Sequence, residues 1–122
     1  MILVDTSIWI DHIRKGDAEL VRLLGEGQVL SHPFVVGEIA MGSIANRKIV
    51  LSSIEKLPAV TMARHDEVMT FVAKHSLFGL GIGYIDAHLL ASAQLTPYGV
   101  IWTRDRRLQD IAAGLLLAYL PR

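Results

Sequence analysis

Short apolar runs alternate with amphipathic stretches from one end of this chain to the other. Ile2-Leu3-Val4 predicts a buried strand. Asp5-Thr6-Ser7 behind it offers helix caps, and Trp9, Ile10 and Ile13 suit one face of a helix beginning near Ile8. A second helix fits Asp17 to Leu24, with Asp17 as cap, a stripe of Leu20, Leu23 and Leu24, and Gly25 and Gly27 as stop signals. Val29-Leu30 reads as a strand, and Pro33 stands where it can open a helix running through Glu38 to about Met41.

A helix is predicted over Arg47 to Leu57, ending before Pro58, and a strand over Ala59 to Met62. Asp66 to His75 is amphipathic. A glycine-rich loop over 79–83 leads into a small-residue helix from Tyr84 to Gln94. Val100-Ile101-Trp102 is a strand, Arg106 to Ala113 a helix, and Leu116 to Tyr119 a last strand. Strands and helices therefore alternate, and no two-residue hairpin signal joins neighbouring strands. That pattern predicts an α/β domain, 1–122, with a parallel sheet wrapped by helices. Ligands in such sheets bind outside the carboxyl ends of the strands.

Composition narrows the classes. Hydrophobic residues make up 52% of the chain and the mean hydropathy is +0.40, yet the longest uncharged apolar candidate, Ile111 to Leu120, falls short of a membrane span. The first residues lack a basic segment and a full apolar core, so no signal peptide is expected. The excess apolar surface points to a protein partner or a homodimer interface. With no cysteine, disulfides, thiolate metal sites and cysteine nucleophiles are excluded, in keeping with a cytoplasmic location. Twelve basic residues balance twelve acidic ones, so any nucleic-acid site must be a local patch.

Four acids fall where chemistry is expected. Asp5 follows a strand directly, Asp105 lies at the C-terminal end of another, and Glu38 and Asp86 lie on helices able to lean over the same edge. Each has an ordinary alternative. Asp5 and Asp105 could simply cap helices, Glu38 could face solvent, and Asp86 suits the positive end of a helix. Brought together, the four would repel one another and raise each other's pKa until a hard cation bound. A pocket of carboxylate oxygens suits Mg²⁺ or Mn²⁺, ions that act on phosphate esters.

The segments carrying these acids form a pattern. Val4-Asp5-Thr6-Ser7, Gly37-Glu38-Ile39-Ala40-Met41-Gly42, Tyr84-Ile85-Asp86-Ala87 with Leu89-Leu90-Ala91-Ser92-Ala93, and Trp102-Thr103-Arg104-Asp105-Arg106-Arg107-Leu108 resemble the four motifs of PIN-domain ribonucleases. The nearest likeness is to VapC-type toxins of toxin–antitoxin pairs. The resemblance spans essentially the whole chain, and it implies a PIN-like three-layer fold with a five-stranded parallel sheet between helices. It also implies Mg²⁺-dependent cleavage of RNA, with Mn²⁺ able to substitute, and a cognate antitoxin whose C-terminal segment lies in a groove. By motif position, Asp5, Glu38, Asp86 and Asp105 match the acidic cluster, and Thr6 or Ser7 and Thr103 match supporting hydroxyls. His88 and Leu90 are bulkier than expected along the third motif.

On this reading Asp5 with Asp86 or Asp105 binds the ion directly, and Glu38 acts through water or as a base. Arg104, Arg106 and Arg107 flank Asp105, and Arg47 and Lys48 follow the Glu38 helix, so these five are expected to meet RNA phosphates. Phosphoacceptor domains and acid-pocket phosphatases need paired acids after the first strand, or a second Asp two residues on; here Thr6 and Ser7 follow Asp5. A non-catalytic scaffold on the same fold is the other alternative. The glycines of 79–83 match no phosphate-loop spacing, the five histidines show no metal-ligand spacing, and Trp9 and Trp102 sit in apolar runs that predict core packing.

Overall fold

The computed structural model describes residues 1–121. Its centre is β1 (Ile2–Val4), flanked by β2 (Val29–Leu30) and β3 (Val100–Trp102) in the order β2-β1-β3, all parallel. Ile2 pairs with Val29 and Val100, Leu3 with Leu30 and Ile101, and Val4 with Trp102. Parallel strands are covered on both faces, which is why these runs are continuously apolar. Leu3 and Val4 have no exposed surface. Burying a side chain of this kind stabilises the fold by roughly 1.5–3 kcal/mol.

Helices α1 (Thr6–Lys15) and α2 (Ala18–Gly25) connect β1 to β2. After β2 come α3 (Pro33–Ala40), α4 (Arg47–Glu55), α5 (His65–Lys74) and α6 (Tyr84–Leu95), which lead to β3; α7 (Arg106–Gly114) follows. Asp17 caps α2 through Leu20 N–H, and Pro33 occupies the first turn of α3, as the sequence predicts. Trp9 and Trp102 are both core residues. Among the described residues no helix is long and apolar enough to cross a membrane.

The sheet has three strands, not the five expected. The outer two runs each contribute one parallel bridge, Ala59 to Ser31 and Ala118 to Ile101. Each is fixed by two hydrogen bonds: Ser31 N–H to Pro58 O (2.8 Å) and Val60 N–H to Ser31 O (3.0 Å), then Ile101 N–H to Leu117 O (2.7 Å) and Tyr119 N–H to Ile101 O (2.8 Å). Further pairing fails because the backbone donors go elsewhere. Thr61 N–H bonds to Thr96 Oγ1 and Ala63 N–H to Ser92 Oγ, both on or next to α6. On the other edge, Leu115, Leu116 and Leu117 use their N–H groups to close the end of α7, and Leu116 takes a left-handed turn at φ 59°.

Candidate active site

Asp5 leaves the central strand at its carboxyl end, and its carboxylate meets three donors. Thr6 N–H donates to Oδ1 (2.8 Å), while the hydroxyls of Ser7 (3.2 Å) and Thr103 (2.7 Å) both donate to Oδ2. Asp5 is 8% exposed. A carboxylate oxygen carries about two acceptor sites, so Oδ2 is filled and Oδ1 keeps one open.

The same hydroxyls reach the other acids. Thr103 Oγ1 accepts from Asp105 N–H (3.0 Å), and Thr6 Oγ1 donates to Glu38 Oε1 (3.0 Å). Thr103 thus joins the ends of β1 and β3, and Thr6 joins α1 to α3. Asp105 also caps α7, accepting from Leu108 N–H (3.0 Å), so its capping role and its place in the cluster coexist. Asp86, half-buried in the first turn of α6, has its pKa raised first by burial and then by Asp5, Asp105 and Glu38. That influence brings the fourth acid into the group: all four sequence-predicted carboxylates lie within electrostatic reach of one another.

Among the described residues the ion pairs involve Glu19, Glu26, Asp66, Glu67, Asp11 and Asp17, and none of the four. Hard oxygen donors with uncompensated negative charge suit a divalent cation by donor type and charge. Their present spacing is looser than a ligand shell, since no three His, Asp or Glu groups among the described residues stand at metal-holding distances.

The five expected phosphate-binding cations divide. Arg104 is committed to the flank of the fold, paired with Asp11 and with Asp17 (2.8 Å) and lying over the Trp102 ring at 5.9 Å. Arg47 bonds to Ala40 O through Nε (3.3 Å) and Nη2 (3.1 Å), satisfying the end of α3. Lys48, Arg106 and Arg107 are exposed, without an ion pair among the described residues. Arg107 lies against the loop preceding Asp86: a Cβ built on Gly81 would stand 2.6 Å from its Nη1.

Sequence reasoning missed a buried polar group behind the acids. His32, at the end of β2, approaches His88 of α6, Nε2 to Nδ1, at 3.0 Å, with Ser92 Oγ 3.3 Å from His32 and 3.4 Å from His88. All three are buried. Phe34 N–H donates to His32 Nδ1 (3.0 Å), so that nitrogen carries no proton and Nε2–H is the donor toward His88. Burial first, and His88 second, lower the His32 pKa from 6.5 to about 4. Two signals were available: His32 stands at a strand end on the ligand-binding edge, and His88 and Ser92 are four apart on one helix face.

Residues 2–114 match the PIN domain family. Over 120 residues the chain is 46% identical to Ribonuclease VapC32 from each of two strains of Mycobacterium tuberculosis, covering 97% of this chain and 97% of the relative. A parallel α/β sheet, acids at the carboxyl ends of β1 and β3, and this likeness along nearly the whole length agree: the chain belongs to the PIN-domain family, with the VapC-type ribonucleases.

Proposed function

We propose that this chain is a metal-dependent endoribonuclease and the toxin of a cytoplasmic toxin–antitoxin pair. The observation that carries this reading is the gathering of four carboxylates, none of them in an ion pair among the described residues. Asp5, Asp86 and Asp105 would hold a Mg²⁺ ion, for which Mn²⁺ can substitute, with Glu38 reaching it through water. When bound, such an ion supplies charge neutralisation at the scissile phosphate and a lowered pKa for water.

The chain's own groups do the rest. Thr103 and Ser7 fix the Asp5 carboxylate, leaving Oδ1 its open acceptor site. Glu38 is exposed and is held by Thr6, so it can take a proton from an attacking water. Attack by water leaves a 5′-phosphate and a 3′-hydroxyl and makes no use of the ribose 2′-hydroxyl. Of the five cations expected at the RNA phosphates, Arg106, Arg107 and Lys48 keep exposed side chains without an ion pair among the described residues. Arg104 and Arg47 serve the fold first.

The antitoxin reading is supported by an open apolar channel of about 450 Å³ between α1, α2 and α4, lined by Trp9, Ile13, Leu24, Ile49, Val50 and Ile54 among others. Ile49 is 69% exposed there. A homodimer would cover further apolar surface such as Phe78, which is 68% exposed.

The test is cleavage of an end-labelled RNA by wild type and Asp5→Asn, with Mg²⁺ and with EDTA. Wild type cuts only with the metal, leaves 5′-phosphate ends, and Asp5→Asn is inactive while remaining folded. The hydroxyls of Ser7 and Thr103 can turn to accept from the new amide. Equal cutting by Asp5→Asn, or cutting in EDTA, refutes the assignment.

A further inference from the structure

We infer that the buried His32–His88 hydrogen bond is a positioning device that keeps α3 and α6, and with them Glu38 and Asp86, near enough for a metal ion to draw the two carboxylates together; this rests on the metal-dependent reading above. His32 caps α3, the helix that carries Glu38, and His88 lies on α6 two residues beyond Asp86. Those helices belong to different parts of the packing. The main partners of α3 are α1 and α4, and those of α6 are α5 and β3. The His32–His88 bond, with the Phe34 ring tilted against His88 at 4.5 Å between ring centres, therefore ties two helices that are not each other's main packing partners.

The chemistry of the tie matters. An apolar pair would fill the same space without polar atoms to satisfy, but apolar contact is non-directional. A hydrogen bond fixes distance and direction together. Ser92 braces the bond from the side and itself accepts from Ala63 N–H (3.1 Å), which anchors the group to the backbone leaving the sheet edge. Glu38 and Asp86 are the two acids carried on helices, so they are the two whose spacing the sheet does not dictate. Asp5 and Asp105 need no such device, because β1, β3 and Thr103 already fix them.

Four variants separate this role from plain packing. His88→Asn places an amide oxygen near the Nδ1 position and keeps an acceptor for His32. His88→Leu keeps volume and loses the acceptor. His32→Asn keeps the cap on α3 and loses the atom that reaches His88, whereas His32→Gln extends a donor toward His88 and loses the cap. Mn²⁺ binding by the full chain without RNA is measured by calorimetry, beside thermal unfolding and Mg²⁺-dependent cleavage.

The expected result is a loss of Mn²⁺ affinity of roughly 10–100-fold in His88→Leu and His32→Asn, the range for outer-shell partners of metal ligands. His88→Asn and His32→Gln stay nearer wild type. Should His88→Leu not fold, His32→Asn with its intact cap gives the same reading. Wild-type affinity in both bond-breaking variants overturns the inference, as does an equal loss in His88→Asn and His88→Leu. Failure of wild type itself to bind Mn²⁺ or cut RNA would instead refute the metal-dependent reading.

Discussion

Thr103→Val removes one hydroxyl and almost nothing else, and that hydroxyl holds two of the four acids. Thr103 is 4% exposed; its Oγ1 donates to Asp5 Oδ2 at 2.7 Å and accepts from Asp105 N–H at 3.0 Å. A hydrogen bond to a charged group contributes about 1.5–3 kcal/mol. Ser7 still donates to Oδ2, and water can reach the N–H of exposed Asp105, so the second bond adds little. The expected loss of stability is about 2–3 kcal/mol, within what a small domain can lose and stay folded. Activity should fall by roughly 10–100-fold through misplaced Asp5 and Asp105. Thr103→Ser is the control: it removes a methyl group, costs about 1 kcal/mol, and keeps the rate. Urea unfolding and single-turnover cleavage over a range of Mg²⁺ concentrations measure both effects. Cleavage by Thr103→Val with unchanged Mg²⁺ dependence refutes the reasoning, as does a Thr103→Ser rate as low as that of Thr103→Val.

Asp86→Asn should raise the unfolding midpoint of the metal-free protein at pH 7 while lowering cleavage by on the order of 100-fold or more. The sign follows from its raised folded pKa: ionising Asp86 above pH 3.8 costs metal-free stability, which falls as pH rises through that pKa. A lower midpoint in denaturant titration contradicts this. For His32 the folded pKa is lowered, so stability is lost as pH falls from 6.5 toward about 4, by about 3 kcal/mol in full. The wild-type loss over that range should exceed that of His32→Gln in matched urea titrations. Gly81→Ala would force a Cβ onto Arg107 at a backbone φ of 86°, costing about 1–2 kcal/mol and raising KM for RNA. Combined with Arg107→Ala, the effects on KM should be less than additive; strict additivity would show that Arg107 plays no part there.

Local patterns carried much of this fold, and long-range pairing carried the rest. Ile2-Leu3-Val4, Val29-Leu30 and Val100-Ile101-Trp102 are legible because buried parallel strands are apolar throughout. The outer runs look similar in sequence, yet pair once each because Thr61 and Ala63 donate to α6 side chains, a competition invisible without the fold. Arg104 illustrates a local error. Adjacent residues leaving a strand point to opposite sides, so standing beside Asp105 sends Arg104 away from it, over Trp102 two positions back. The acids were legible by their strand-end and helix positions. The bond between His32 and His88 joins residues 56 apart and has no spacing rule to reveal it.

The balance of charge, taken over the whole chain, argued against a site for polyanions, and the placement of the cations answers that objection. Of the twelve acids, Asp11, Asp17, Glu19, Glu26, Asp66 and Glu67 take up Arg104, Arg22 and Arg64. Asp5 and Glu38 are stabilised by hydroxyl and amide donors, and Asp105 by the N–H of Leu108. These donors orient a carboxylate without cancelling its charge. The repulsion that remains is what raises the Asp86 pKa beyond the effect of burial. A neutral chain can therefore hold a strongly anionic pocket, with Arg107 against the neighbouring loop still unpaired among the described residues. Had Arg104 turned toward Asp105, the pocket would be partly neutralised from within and its attraction for a dication reduced. Its pairing with Asp11 and Asp17 keeps the demand for positive charge open to an ion from solution.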